Sequence, residues 1–280
     1  MKIPRSTTLA VAVLCGAAVT FAPTTAAAQS APVAMQPAGW TVAATLYGYL
    51  PTIGGKLNFP VGSAGGSINV DANTLINDLK GTFMGTLDAH DGRWGVFLDL
   101  LYLDVDGSQA QTRDFSIGRV VIPASATGDL NLNLKGFVGT VAGEYRVIAG
   151  PAWNVDVLAG ARYLGVKPTL GWSIDGDLGP IVLPGRSGSK EVSSNLWDGI
   201  VGVKGRYQFG DEGRWGVPFY ADVGTGQTEL TWQAAAGLSY SYKWGDVLGM
   251  WRYLAWNDGS GKPIESMNFN GPMLGVTFRW

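Results

Sequence analysis

Apolar and polar residues alternate with a period of two along most of this chain. From Trp153 to Tyr163, the residues Trp153, Val155, Val157, Ala159, Ala161 and Tyr163 fall on one face, and Asn154, Asp156, Leu158, Gly160 and Arg162 on the other. That is the pattern of a strand with a greasy face and a mostly polar one. From Leu230 to Lys243 the same alternation sets Leu230, Trp232, Ala234, Ala236, Leu238, Tyr240 and Tyr242 against Thr231, Gln233, Ser239, Ser241 and Lys243. Further segments of this kind run from Trp40 to Leu50, Thr82 to His90, Trp94 to Val105, Asn133 to Val147, Leu196 to Phe209, Trp215 to Gly224, Val247 to Asn257 and Gly271 to Trp280. Ten strands are therefore predicted, with eight or twelve as the alternative counts. A tilted strand needs about 9 to 11 residues to cross a bilayer, and these segments have that length.

The links between segments alternate too. Short ones fall at Asp91-Gly92, Ile148 to Ala152, Gly210 to Arg214 and Trp244 to Asp246. Long ones fall at Pro51 to Gly81, Asp106 to Leu132, Val166 to Asn195 and Asp258 to Asn270, with Thr225 to Glu229 the one short link on that side. Single-chain bacterial barrels keep their termini and short turns in the periplasm and their long loops outside. The expected fold is thus an all-β, closed, transmembrane antiparallel up-and-down barrel over residues 40–280. Within the first long link, Asp71 to Leu79 reads as a short helix capped by Asp71 or Asn73. The Gly- and Pro-rich Gly176 to Gly188 reads as a mobile outer loop.

Composition agrees with a β protein whose outside is greasy. Charged residues make up 15%, while there are 41 glycines, 11 Trp, 10 Tyr and 10 Phe. The aromatics collect at strand ends. Trp40, Trp94, Tyr145, Trp153, Tyr207, Trp215, Tyr242, Trp244 and Trp280 lie at the short-turn ends, and Tyr49, Tyr102, Tyr163, Trp197, Trp232 and Trp256 at the other. Such girdles mark where hydrocarbon meets headgroups.

Residues 1–28 read as a secretory signal peptide. Lys2 and Arg5 are followed by an apolar stretch and then by Ala26-Ala27-Ala28, a cleavage site that leaves 29–39 as a periplasmic lead-in. The single cysteine, Cys15, lies inside this leader after Leu14, where a lipid-attachment signal wants a small residue. The remaining chain has no thiol, so disulfides and cysteine chemistry are excluded. A net charge of −2 offers no electrostatic footprint for nucleic acid. The location implied is the outer membrane of a Gram-negative bacterium. The partners implied are outer-membrane lipid and lipopolysaccharide, the barrel-assembly machinery and small solutes.

The alternation turns Asp88, Asp99, Glu144, Asp156, Asp198 and Asp222 inward together with Arg146, Arg162, Lys204, Arg206, Arg252 and Arg279. Buried charges persist when paired, so one reading is a structural network filling a narrow barrel. The other is a water-filled path whose opposed charges select small solutes. Asp99, Glu144, Asp156, Arg162, Asp198, Arg206, Asp222 and Arg252 are the candidate lumen network.

Catalysis finds little footing. Barrel hydrolases of this membrane place a histidine near the outer rim, whereas the single histidine here, His90, sits beside the Asp91-Gly92 turn at the opposite end and reads as a surface residue. No catalytic residue, cofactor or metal is expected: there is no His/Cys cluster, and Asp104-Val105-Asp106-Gly107 lacks the rest of a calcium loop. Three function classes follow: a structural or surface-interaction barrel, a narrow porin-like channel for small solutes, and an envelope hydrolase working without histidine.

Several stretches carry a resemblance. Trp94 to Tyr102, Asp156 to Tyr163, Asp222 to Gly226 and Thr231 to Tyr240 resemble a family of proteobacterial outer-membrane β-barrel proteins of about this length, over nearly the whole mature chain. The resemblance implies the barrel and no particular activity. The final Gly275 to Trp280, with Leu274, Val276, Phe278 and Trp280 alternating, resembles the C-terminal signal read by the assembly machinery, for which Gly275, Phe278 and Trp280 are the candidate residues. It departs from that signal in ending on Trp280 rather than Phe and in having Met273 where a polar residue is usual.

Overall fold

The computed structural model describes residues 39–59, 64–70, 79–108, 115–117, 120–122, 128–178, 181–191, 193–262 and 264–280. The expected signal peptide, most of the lead-in and residues 71–78 of the expected helix lie outside them. Fifteen strands are described: β1 (Thr41–Tyr49), β2 (Thr52–Phe59), β3 (Ala64–Val70), β4 (Leu79–His90), β5 (Trp94–Ser108), β6 (Phe115–Ile117), β7 (Val120–Ile122), β8 (Gly128–Ala149), β9 (Trp153–Leu178), β10 (Ile181–Glu191), β11 (Ser194–Phe209), β12 (Trp215–Gly226), β13 (Leu230–Ser241), β14 (Gly245–Asn257) and β15 (Ile264–Arg279).

Ten of them close into a barrel, in the order β1-β4-β5-β8-β9-β11-β12-β13-β14-β15 and back to β1, every pair antiparallel. The seam runs from Ala43 opposite Arg279 to Tyr49 opposite Met273. Beyond it, Val42 and the terminal Trp280 exchange backbone hydrogen bonds of 2.9 and 3.0 Å. The last residue is thus part of the closure, which leaves the barrel without an unpaired edge.

Burial alternates along most of β5, β11, β13 and β15. Outward positions such as Leu46, Phe83, Val96, Val141, Val157, Val201, Val223, Leu238, Trp251 and Leu274 are exposed and apolar. An exposed apolar surface on this scale is tolerable only against lipid. Inside, some strand pairs approach so closely that the facing position must be glycine. A Cβ on Gly160 would collide with the Val141 carbonyl, and one on Gly237 with that of Gly249.

At the short-turn end the outward aromatics touch ring to ring, from Trp153 through Tyr207, Phe209, Trp215, Tyr240, Tyr242 and Trp244 to Phe278, at centroid distances of 4.5 to 6.5 Å. Trp94 on Tyr145 adds a further pair. Trp40, Trp94, Trp153, Trp215, Trp244 and Trp280 are all exposed. Two aromatics expected in the outer girdle are instead inside: Tyr49 is 1% and Trp256 2% exposed. Both share inward parity with a neighbour, Tyr49 with Tyr47 and Trp256 with Arg252, and parity overrides position along the strand.

The long links hold more strand than expected. β9 runs on to Leu178 and returns as β10, Ile181 facing Leu178, where 166–195 was expected to be loop, with an extension or added hairpin over Val166 to Asp175 as the alternative. At about 3.3 Å per residue and a ~45° tilt, its 26 residues rise roughly 60 Å, more than twice the ~25 Å apolar band. The Pro51 to Gly81 link contains the β2–β3 hairpin, attached through β2 to β15. The link from Asp106 to Leu132 contains β6–β7, and β15 begins at Ile264 rather than Gly271.

Candidate functional site

The lumen is layered. Toward the long-loop end, inward positions are apolar: Tyr49, Leu101, Leu103, Val105, Leu134, Val138, Leu164, Val166, Leu196, Leu254, Trp256, Met267 and Phe269 form one buried cluster. The inward charges expected from the alternation do not extend into this half. Here strands from all sides bring Leu, Val and aromatics together, and they pack as a core rather than line a channel.

Beneath this plug, two ion pairs stand in the lumen. Arg162 of β9 is fully buried and forks onto Asp222 of β12, its Nη1 donating to Oδ1 at 2.9 Å and its Nη2 to Oδ2. Arg252 of β14 donates to Asp99 of β5 at 2.6 Å and to the Tyr47 hydroxyl at 2.9 Å, and that hydroxyl donates to Asp99 at 2.6 Å. Gln233 joins them, its Oε1 accepting from Arg252 at 2.9 Å and Arg162 at 3.3 Å. Thr140 and Thr231 each lie 3.3 Å from the Arg162 guanidinium. Charged, bidentate contacts of this kind are the strong ones, and every residue of the layer is buried.

Toward the short turns lies a vestibule of about 420 Å³, lined among others by Thr45, Asp88, Arg146, Asp156, Lys204, Arg206, Asp246 and Arg279. Solvent reaches it, since the Asp88 and Arg279 side chains are 30% and 48% exposed. On one wall Arg146 forks onto Asp156 at 2.8 and 3.0 Å. Lys204 of β11 reaches Asp88 of β4 and, at 2.7 Å, Glu144 of β8. On the other wall Asp246 takes Arg206 at 2.7 Å, the Ser241 hydroxyl at 2.7 Å and Arg279.

His90 is not on the surface. It is 4% exposed, turned inward, with its Nε2 2.8 Å from Glu144, 3.6 Å from Asp156 and 3.7 Å from Asp88, and its ring laid on Gly95. Its parity with Asp88 on β4 is the signal that its position beside a turn obscured. Asp88, His90 and Glu144 have ligand atoms within 4.8 Å of one another, as a metal site would. Lys204 already supplies a cation there, in contact with both carboxylates. Asp246, expected in a turn, is likewise an inward residue at the start of β14.

Among the eight candidate network residues, Asp99, Glu144, Asp156, Arg162, Arg206, Asp222 and Arg252 stand in ion pairs. Asp198 does not: its Oδ1 accepts the Thr228 amide at 2.9 Å and its Oδ2 has no partner among the described residues.

A closed ten-stranded barrel with an apolar exterior, aromatic girdles and a charged, ion-paired interior layer defines a transmembrane β-barrel. No family model and no curated protein matches the chain. Among solved structures it is similar to the outer membrane protease OmpT of Escherichia coli, at 10% identity and TM-score 0.49, covering 87% of this chain and 98% of that one. It is also similar to the translocator domain of the autotransporter NalP of Neisseria meningitidis, at 16% identity and TM-score 0.40, over 88% and 90% of the two chains. The third is Ail, the attachment invasion locus protein of Yersinia pestis, at 13% identity and TM-score 0.30, over 86% and 99%. The fold assignment rests on strand order and closure, not on these distant likenesses.

Proposed function

We propose that this protein is an integral outer-membrane barrel with a closed lumen, exported by cleavage near Ala28, whose role is structural or surface-interacting. The observation that carries the reading is the buried layer of Arg162–Asp222 and Arg252–Asp99, bridged by Gln233 and capped by the apolar plug. Ions or solutes crossing the barrel would have to break two buried charge pairs and part a packed core. Lipid and lipopolysaccharide meet the girdles, and the β8–β9–β10 extension is the part offered to the outside.

One observation favours a second reading, a narrow gated channel: the vestibule of about 420 Å³ gives small polar solutes a place to enter from the short-turn side. Conduction would then require Arg162 and Arg252 to leave their partners. Liposome swelling separates the two. Vesicles carrying the refolded protein should swell in isotonic arabinose or glycine no faster than protein-free vesicles. Swelling that rises with protein content would overturn the closed-lumen reading.

A further inference from the structure

Asp88 and Arg279 stand in one row of the vestibule wall, on either side of Ala43: Asp88 faces Ala43 across β4 and β1, and Ala43 faces Arg279 across β1 and β15. Neighbouring strands lie about 4.8 Å apart, so an acid and a base stand about 10 Å apart over a side chain of one methyl group. They do not pair with each other. Asp88 turns one oxygen to Lys204 and holds its Oδ1 3.7 Å from His90, beyond hydrogen-bond reach, while Arg279 goes to Asp246. Solvent reaches both side chains, which are 30% and 48% exposed.

The groups behind these two carry opposite charge. Arg206 and Arg279 share one oxygen of Asp246, two bases on one acid, which leaves a positive excess. Asp88, Glu144 and Asp156 meet Lys204 and Arg146, three acids on two bases, which with His90 neutral leaves a negative excess. One step inward the same three strands set Thr86, Thr45 and Thr277 in a row, the hydroxyls of the last two 2.8 Å apart. Further in stand Tyr47 and Leu248, then Met273 facing Met250. The wall therefore passes from charge to hydroxyl to apolar surface, all of it lining the cavity of about 420 Å³, a size within the range of small-molecule sites. A simple anion would be repelled by one group and a simple cation by the other, whereas a small zwitterion with an apolar tail suits both groups and the wall between them.

We infer that the vestibule binds an α-amino acid, with its ammonium donating to Asp88, its carboxylate accepting from Arg279 with Arg206 beside it, and an apolar side chain lying inward past the threonines. Ala43 leaves the room between the two charges. The inference stands apart from whether the lumen conducts, because a dead-ended vestibule and a gated one present the same wall.

Leucine and two capped relatives test it: leucinamide keeps the ammonium and lacks the carboxylate, and N-acetylleucine does the reverse. Equilibrium dialysis of radiolabelled leucine against the protein refolded in nonionic detergent should show saturable binding. Each capped compound should compete at least ~10-fold less well than leucine, the effect of losing one charged hydrogen bond. Asp88→Asn and Arg279→Gln should each weaken leucine binding by the same ~10-fold or more. Ala43→Leu, which fills the gap and keeps both charges, should abolish it. Should Asp88→Asn fail to refold, judged by its gel shift on boiling, Arg279→Gln and the capped compounds decide. No saturable binding of leucine, equal competition by either capped compound, or binding unchanged in any refolded variant of the three would overturn the inference.

Discussion

In the proposed closed lumen, Arg162 and Arg252 each both block the path and depend on a partner. Each is buried and held by a carboxylate, so removing one member strands the other. Arg162→Ala or Asp222→Ala should each cost about 3–5 kcal/mol, read as a lowered urea midpoint in detergent. Replacing both with apolar residues of matching volume, Arg162→Met with Asp222→Leu, should recover most of that loss, because no buried charge is left alone. At this scale the sequence was legible in part. Period two gives the inward parity of Asp99, Arg162, Asp222 and Arg252, because a one-residue slip would turn each charge into lipid. Which acid meets which base was not legible, since partners such as Asp99 and Arg252 lie 153 positions apart and meet only across the closed barrel. His90, Trp256 and Tyr49 were misplaced where closeness to a strand end was weighed above parity.

At the scale of elements, the short turns carry their own chemistry. Asp91 caps the β4–β5 turn, its Oδ1 accepting the amides of Trp94 at 2.7 Å and Arg93 at 3.0 Å, and these amides hold its carboxyl below the usual range. A depressed folded value means that the native turn favours the ionised form. Its contribution is therefore full above the ordinary carboxylate range and is lost as pH falls through the lowered folded value. Urea midpoints of the protein and of Asp91→Ala should differ at neutral pH and converge in acid; a gap independent of pH would assign the effect to something other than this carboxylate. The ten barrel strands were legible because each presents one face to lipid and one to the lumen. The hairpins β2–β3 and β6–β7 were not, and β9–β10 only as an alternative over Val166 to Asp175, because β2, β3 and β10 are rich in Gly and β6 and β7 are three residues each. Gly176 to Gly188, read as loop, falls largely within β9 and β10, whose pairing absorbs a register shift between Leu183 and Arg186.

For the whole molecule, closure satisfies the backbone in lipid, the girdles set the depth, and the interior is divided between a solvent-reached vestibule and an outer half packed with buried apolar side chains. The division was legible only through parity, since Leu101 and Leu103 share it with Asp99 and Leu164 shares it with Arg162, while their packing into one cluster depends on strands brought together by closure. The most direct test is single-channel conductance of the refolded protein in a planar bilayer. A heat-modifiable barrel that inserts and passes no discrete current steps is the expected result. Stable, reproducible steps from the unaltered protein would contradict a lumen sealed by Arg162, Arg252 and the plug above them.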